Sequence, residues 1–152
     1  LEEELRGKGL YVEVMDGDEV RQGLSKGLGF SKDDRRTHAM RVAYVSKLLS
    51  RNGVAVIVAL ISPYRSFRDT IRQDIDDFIE VFIKCPVDEC AKRDPKGLYA
   101  QAYAGEITDF TGVDDPYEDP ENPELVLDTH AESTEESVGK VLAWLSEHDY
   151  MD

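Results

Sequence analysis

The sequence predicts an α/β fold of three layers, a mostly parallel sheet with helices on both of its faces. Strand-like apolar segments alternate with helical ones along the whole chain. The run at 54–61 is apolar without interruption, as in strands covered on both faces. Polar, chemistry-bearing residues fall at the predicted carboxyl ends of the strands, where parallel sheets receive their ligands.

The elements follow in order. Residues 1–6 read as the end of a helix closed by Gly7 and Gly9, and Leu10, Val12 and Val14 then alternate as a strand does. This strand ends in Asp16-Gly17-Asp18. A short helix over 19–24 leads through the turn Gly27-Leu28-Gly29-Phe30 to Ser31, the expected N-cap of a long helix reaching Arg51 and stopped by Asn52-Gly53. The apolar strand at 54–61 is broken by Ser62-Pro63 before a helix over 64–76, and 78–83 is a third strand. Helices over 87–93 and 97–104 come next. Residues 105–124, with three prolines, two glycines and no apolar period, form a long loop of the kind that serves as a lid or binding loop or lacks order. A short strand at 125–127 precedes Ser133-Thr134-Glu135-Glu136, a capping-box signal for a last helix to His148, on which Trp144 is expected in the core.

With 152 residues, 41% hydrophobic and 33% charged, the chain fits one globular domain over 1–152. No segment reaches the roughly 18–20 apolar residues of a membrane span, and the start has no signal-peptide character, so a cytoplasmic protein is expected. Cys85 and Cys90 have no partners at metal-ligand spacing and read as reduced thiols. The net charge of −14 is unevenly spread: residues 21–72 carry a net +8, and residues 105–152 a net −14. Such asymmetry suits one basic cleft for a phosphorylated small molecule on an acidic body. Nucleic acid is excluded as a partner by the overall field and by the absence of a basic stripe interleaved with aromatics.

Just ahead of that basic stretch, Asp16 and Asp18 have the hard oxygens that suit Mg²⁺ and can accept a hydroxyl proton, although Asp-Gly-Asp is also an ordinary turn. Arg21 lies one helical turn beyond Asp18, and Arg35 stands near the start of the long helix, so both can face the same strand-end rim. Paired guanidiniums fork onto phosphate or sulfate oxygens.

The ordered set Asp16-Gly17-Asp18-Glu19-Val20-Arg21-Gln22-Gly23-Leu24, Leu28-Gly29-Phe30-Ser31, Asp34-Arg35, Ile61-Ser62-Pro63-Tyr64-Arg65, Arg93-Asp94-Pro95-Lys96-Gly97-Leu98-Tyr99, Ala104-Gly105-Glu106-Ile107, Phe110-Thr111-Gly112 and Pro120-Glu121-Asn122-Pro123-Glu124-Leu125 resembles the adenylyl-sulfate kinase family. The resemblance implies a P-loop-kinase-like three-layer fold with a lid over about 94–124. It also implies Mg²⁺-assisted transfer of a phosphoryl group from ATP to the 3′-hydroxyl of adenosine 5′-phosphosulfate, a step of sulfate assimilation. By the same resemblance Asp18 is the acid near the acceptor hydroxyl and the metal, and Asp16 is its neighbour. Arg21 and Arg35 hold the phosphosulfate, Phe30 and Phe110 sandwich the adenine, and Ile61 and Ser62 are a substrate-contacting strand end. Ser62 also matches a serine treated as a phosphoenzyme nucleophile, but no base stands beside it in the sequence, and a hydrogen bond to substrate is the simpler role. Lys96 matches a lid lysine that reaches the substrate, and Arg93 begins the segment near ATP. At position 38 the family often has Asn, whereas His38 adds a titratable group near an anionic site; its plainer reading is a helix-surface histidine.

A kinase of this type needs a glycine-rich loop ending in Gly-Lys-Ser/Thr to hold the ATP phosphates, and the sequence has none. Family order places that loop and a first strand ahead of Leu1. Three expectations remain open: a fragment of a longer kinase, a disordered loop left out of the sequence, or a loop-less domain that binds sulfonucleotides and regulates an attached ATP sulfurylase. The joint presence of Asp18, Arg21, Arg35 and Lys96 favours catalysis. The family is commonly homodimeric.

Overall fold

Local sequence signals set the helix ends in the computed structural model, which describes residues 1–151. Among these residues the order is α1 (Glu2–Gly7), β1 (Tyr11–Asp16), α2 (Gly17–Gln22), α3 (Lys32–Ser50), β2 (Val54–Ala59), α4 (Arg65–Asp74), β3 (Val81–Lys84), α5 (Val87–Arg93), α6 (Leu98–Tyr103), β4 (Leu125–Asp128) and α7 (Thr134–Glu147). The chain divides into two compact units, Leu1–Phe78 and the segment from Ile79 onward.

In the first unit β1 and β2 pair in parallel, with Tyr11 opposite Val54 and Asp16 opposite Ala59. Parallel neighbours need a crossover, and α2 and α3 supply it. The core is Leu5, Val12, Met15, Ala39, Val42, Ala43, Tyr64 and Phe67, all buried. Val12 and Met15 therefore face the helices while Tyr11 stands 78% exposed. Ser31 caps α3 as expected, its hydroxyl accepting the Asp34 amide at 3.2 Å. Gly17 has a packing reason: a Cβ there would lie 3.2 Å from Leu60 Cβ. The turn after β1 is thus pressed against the end of β2, and only glycine fits without displacement.

In the second unit β3 and β4 pair in parallel, Val81 opposite Leu125 and Lys84 opposite Asp128. The Glu124 carboxylate accepts the Glu80 amide at 2.7 Å just before the ladder starts. Residues 105–124 are an ordered loop: the Asp114 carboxylate accepts the amides of Asp109 (2.9 Å) and Phe110 (2.7 Å), and Thr111 bridges to Asp115. The capping box on α7 is present in full, Ser133 accepting from the Glu136 amide and Glu136 from the Ser133 amide.

Three expectations change. The strands are parallel, but among the described residues they form two separate two-stranded ladders, so Val58, Ile83 and Val126 are 42%, 56% and 50% exposed rather than covered on both faces. The third strand starts at Val81, three residues later than expected, because pairing with β4 begins only there. Trp144 is half-buried, its ring stacked on His148 at 3.9 Å and on Tyr150 at 5.9 Å between centroids. Cys85 and Cys90 are free thiols, as expected.

Candidate active site

The end of β1 presents two acids that behave differently. Asp16 is the N-cap of α2: its carboxylate accepts the amides of Asp18 at 2.9 Å and Glu19 at 3.3 Å. One of its oxygens is therefore committed to holding the turn, and Asp18 is exposed on the first turn of α2.

Arg21 follows one turn later. Its guanidinium donates to the Gly29 carbonyl at 3.0 Å and lies over the Phe30 ring, 4.3 Å from the centroid. Arg35, buried in the first turns of α3, donates its Nε to the Phe30 carbonyl at 2.8 Å and lies 5.5 Å from the same ring. Phe30 itself is 54% exposed. Two cations thus lie within cation–π reach of one partly exposed ring, an arrangement worth about 0.5–1 kcal/mol per exposed cation–π pair, rising when desolvated. Burial and the neighbouring Arg35 push Arg21 below its ordinary pKa, while Asp34 and Asp18 push the other way. The pair repels itself, and an arriving anion would relieve that repulsion.

His38 sits one turn beyond Arg35 on α3. It is not the helix-surface histidine of the plainer reading: it is 4% exposed, and its Nδ1 meets Ser25 Oγ at 2.8 Å. Burial first, then Arg21, Arg35 and Arg41, lower its pKa, which keeps the ring neutral at pH 7. Arg41 donates to the Leu24 carbonyl at 3.0 Å.

At the end of β2, Ile61 is 63% exposed. The Ser62 carbonyl accepts from the buried Arg68 at 2.6 Å. The Ser62 hydroxyl oxygen is buried without a hydrogen-bond partner among the described residues, an arrangement that stays costly until a ligand or water supplies one. No histidine or carboxylate is bonded to it, so the structure provides no activating base for a nucleophile.

The second unit holds the remaining candidates. Arg93, exposed at the end of α5, donates to the Thr129 carbonyl at 2.6 Å. Lys96 is exposed in the turn between α5 and α6. That turn is fixed by Asp94, whose carboxylate accepts the amides of Tyr99 (3.1 Å) and Ala100 (3.2 Å), and by Gly97 in the left-handed region at φ 68°. Phe110 is half-buried and meets the Tyr99 ring edge-on at 4.9 Å. Burial, and then Cys90 beside it, push the Tyr99 phenol up to about 12.

The structure therefore gathers Asp18, Arg21, Phe30, Arg35 and His38 in one cluster of the first unit, with Ile61 and Ser62 on the adjoining strand end. Arg93, Lys96 and Phe110 belong to the second unit. Sequence reasoning missed Ser25, Arg68, Asp94, Asp114 and Tyr99. Of these, Asp94 carried a signal, an aspartate three residues ahead of a glycine that opens a helix; Ser25 in a glycine-rich turn carried none.

Fold and site together define a class: an α/β protein that receives, beyond the ends of parallel strands, a ligand combining an aromatic ring with an anionic group. The comparisons give the class its family. The profile described as "Adenylylsulphate kinase" matches residues 1–128. The chain is 53% identical over 151 residues to the adenylyl-sulfate kinase of Picosynechococcus sp. (strain ATCC 27264 / PCC 7002 / PR-6), covering 99% of this chain and 85% of that protein. It is 55% identical to the probable bifunctional SAT/APS kinase 2 of Sorangium cellulosum (strain So ce56), where it spans 99% of this chain but only 26% of the relative. The solved structure of the Mycobacterium tuberculosis APS kinase in complex with AMPPNP and APS superposes with a TM-score of 0.91 at 44% identity, over 95% of this chain and 86% of that one. This chain belongs to the adenylyl-sulfate kinase family, and its fold is that of the P-loop kinases.

Proposed function

We propose that the protein transfers the γ-phosphoryl group of ATP to the 3′-hydroxyl of adenosine 5′-phosphosulfate, giving 3′-phosphoadenosine 5′-phosphosulfate and ADP. The observation that carries this reading is the partly exposed Phe30 ring within cation–π reach of Arg21 and Arg35, with Asp18 on the neighbouring helical turn. An adenine ring finds a stacking face in Phe30, and a phosphosulfate finds two guanidiniums already oriented by backbone carbonyls.

In this mechanism Asp18 orients the 3′-hydroxyl and accepts its proton as the oxygen forms its bond to phosphorus. The bond from phosphorus to the bridging oxygen of ATP breaks, and ADP leaves with the electron pair. Arg21 and Arg35 fix the substrate by its anionic end, so the hydroxyl is presented in line; alignment of this kind supplies most of the acceleration in phosphoryl transfer. The Ser62 hydroxyl donates a hydrogen bond to the bound sulfonucleotide, satisfying its buried oxygen.

No group of three or more His, Cys, Asp or Glu side chains able to hold a metal occurs among the described residues. Mg²⁺ keeps its waters and binds through one or two carboxylates plus substrate phosphates, and the exposed carboxylate of Asp18 on the first turn of α2 would be its protein ligand. When bound, Mg²⁺ supplies neutralisation of the charge on the transferred phosphoryl group. The reading extends to a cytoplasmic homodimer acting in sulfate assimilation, with an ATP sulfurylase fused or associated, as the bifunctional relative's name suggests. No helix of the described residues is long and apolar enough to cross a membrane.

The test is a coupled assay of ADP release by the full-length protein with ATP, Mg²⁺ and adenosine 5′-phosphosulfate, after its intact mass has been measured. Turnover that requires the sulfonucleotide is expected. Sulfonucleotide binding without turnover would replace the kinase with a regulatory binding domain.

A further inference from the structure

Behind the two arginines lies a buried polar contact to which phosphoryl transfer assigns no role. Ser25 is 1% exposed and His38 4%, and they meet through Oγ and Nδ1 at 2.8 Å. The segment around Ser25 has no regular structure; besides this contact it is held by Arg41, which donates to the Leu24 carbonyl at 3.0 Å, and by turn bonds from the amides of Gly23, Ser25, Lys26 and Leu28. Residues 23–30 form neither helix nor strand and contain Gly23, Gly27 and Gly29, with Gly27 at φ 89°. Glycines in such a segment favour many conformations over one.

What the segment carries makes its shape consequential. The carbonyls that orient Arg21 and Arg35 belong to Gly29 and Phe30, at its far end. The Ser25 amide donates to the Val20 carbonyl at 3.0 Å, and the Leu28 amide donates to the Ser25 carbonyl at 3.2 Å. Ser25 is thus tied backward to α2 and forward to the turn that ends in Phe30. The bond to His38 ties this midpoint to α3, the same helix that supplies Arg35.

We propose that His38 is a positioning residue for sulfonucleotide binding: its bond to Ser25 fixes residues 23–30 against α3, so that the Gly29 and Phe30 carbonyls hold Arg21 and Arg35 in place before the anionic group arrives. This rests on the reading of those arginines as phosphosulfate ligands. A neutral ring suits the position, since Arg21, Arg35 and Arg41 already surround it and a fourth cation would add to their repulsion. A neutral imidazole also brings one donor and one acceptor, which is enough to serve a hydroxyl in either sense.

Side-chain geometry supplies the discriminating variants. Asn carries its amide oxygen and nitrogen at the distance from Cα that Nδ1 occupies in His, Gln carries them one atom further out, and Leu carries no polar atom. In the full-length protein, His38→Leu is expected to raise the Kd and KM for adenosine 5′-phosphosulfate about tenfold, the scale of one lost buried hydrogen bond. The KM for ATP and kcat at saturating sulfonucleotide should stay within about twofold of wild type, since the proposed role is confined to holding the sulfonucleotide's anionic end. His38→Asn should restore most of the affinity and His38→Gln should not. Ser25→Ala should resemble His38→Leu, and the double variant should be no worse than either, since both remove one contact.

Hydrogen exchange on the wild-type protein gives a measurement that needs no variant to fold. The Ser25 and Leu28 amides, both hydrogen-bonded, should be protected in the ligand-free protein, and that protection should fall in Ser25→Ala. Rapid exchange in the free wild type with protection appearing only on adding adenosine 5′-phosphosulfate would overturn the proposal. So would Leu, Asn and Gln variants that lose thermal stability alike with unchanged sulfonucleotide KM. A wild-type protein with no measurable affinity for adenosine 5′-phosphosulfate would overturn the assignment of the arginines and this proposal together. Wild-type affinity with an unaffected His38→Leu would overturn this proposal alone.

Discussion

The two units hold most of their candidate ligands by different means, with Asp16 in the first and Arg93 in the second as the exceptions. In the first, long cationic side chains are the moving parts and backbone carbonyls hold them: Gly29 receives Arg21, Phe30 receives Arg35, Ser62 receives Arg68 and Leu24 receives Arg41. In the second, the backbone is the part that has to be held, and carboxylates hold it: Asp94 takes the amides of Tyr99 and Ala100, and Asp114 takes those of Asp109 and Phe110. The difference follows from charge. Backbone carbonyls orient a guanidinium without adding a formal negative charge of their own. A lid-like loop in an acidic stretch has carboxylates to spare and uses them as caps.

If the comparison is right, damage to the first unit should act on chemistry and affinity, and damage to the second mainly on the order of a loop. The largest effect is expected from Asp18→Ala, with kcat reduced about 100-fold or more and the sulfonucleotide Kd within a few-fold, as suits loss of a proton acceptor. Equal losses in both, measured by steady-state kinetics and calorimetry, would move Asp18 from chemistry to binding. Next comes Arg35→Ala, expected to raise the sulfonucleotide KM about 10- to 100-fold, the range of a lost charge-assisted bond. An unchanged KM would take Arg35 out of the site. In the second unit, Asp94→Ala removes the carboxylate that two amides share and is expected to lower stability by about 1 kcal/mol, as a lost helix cap does. The accompanying rise in sulfonucleotide KM should be only a few-fold; a loss as large as that of Arg35→Ala would erase the contrast between the units.

The smallest expected effect is a pH dependence. The folded-state pKa of His38 lies below the ordinary imidazole value of 6.5, chiefly through burial. The unfolded chain therefore binds a proton that the folded chain refuses. The stability associated with this group is complete above the unfolded value, declines as pH falls below it, and levels off below the folded pKa. Denaturant unfolding at several pH values should show that decline in the wild type and lose it in His38→Asn. A wild-type curve that is flat below neutrality would argue against a neutral buried ring.

Much of the fold was legible because local signals decide it. Ser31, the Ser133 capping box and the apolar run at 54–61 each carry their own physical reason, and the helices and strands they announce are present within a few residues. The pairing of strands was less legible, since an apolar run says that a strand can be covered but not by what; hence the exposure of Val58, Ile83 and Val126. In the site, Arg21 could be placed on the rim by its spacing from Asp18, and Arg35 by its place near the start of the long helix. The roles of Asp16 and His38 could not, because each is set by a partner whose identity is unremarkable in sequence: two backbone amides for Asp16, and Ser25 for His38.

The stack of Trp144 on His148 and Tyr150 has a practical consequence. Trp144 is the chain's single tryptophan, and it lies on α7 in the second unit. Indole emission from this chain is therefore a local signal from that unit, whereas Arg21, Phe30 and Arg35 lie in the other. Titrating the protein with a sulfonucleotide while watching that emission asks a question that affinity measurements do not. A change would mean that occupancy of the arginine cluster is felt at α7, and a constant signal beside calorimetric heat would mean that the two units answer the ligand separately.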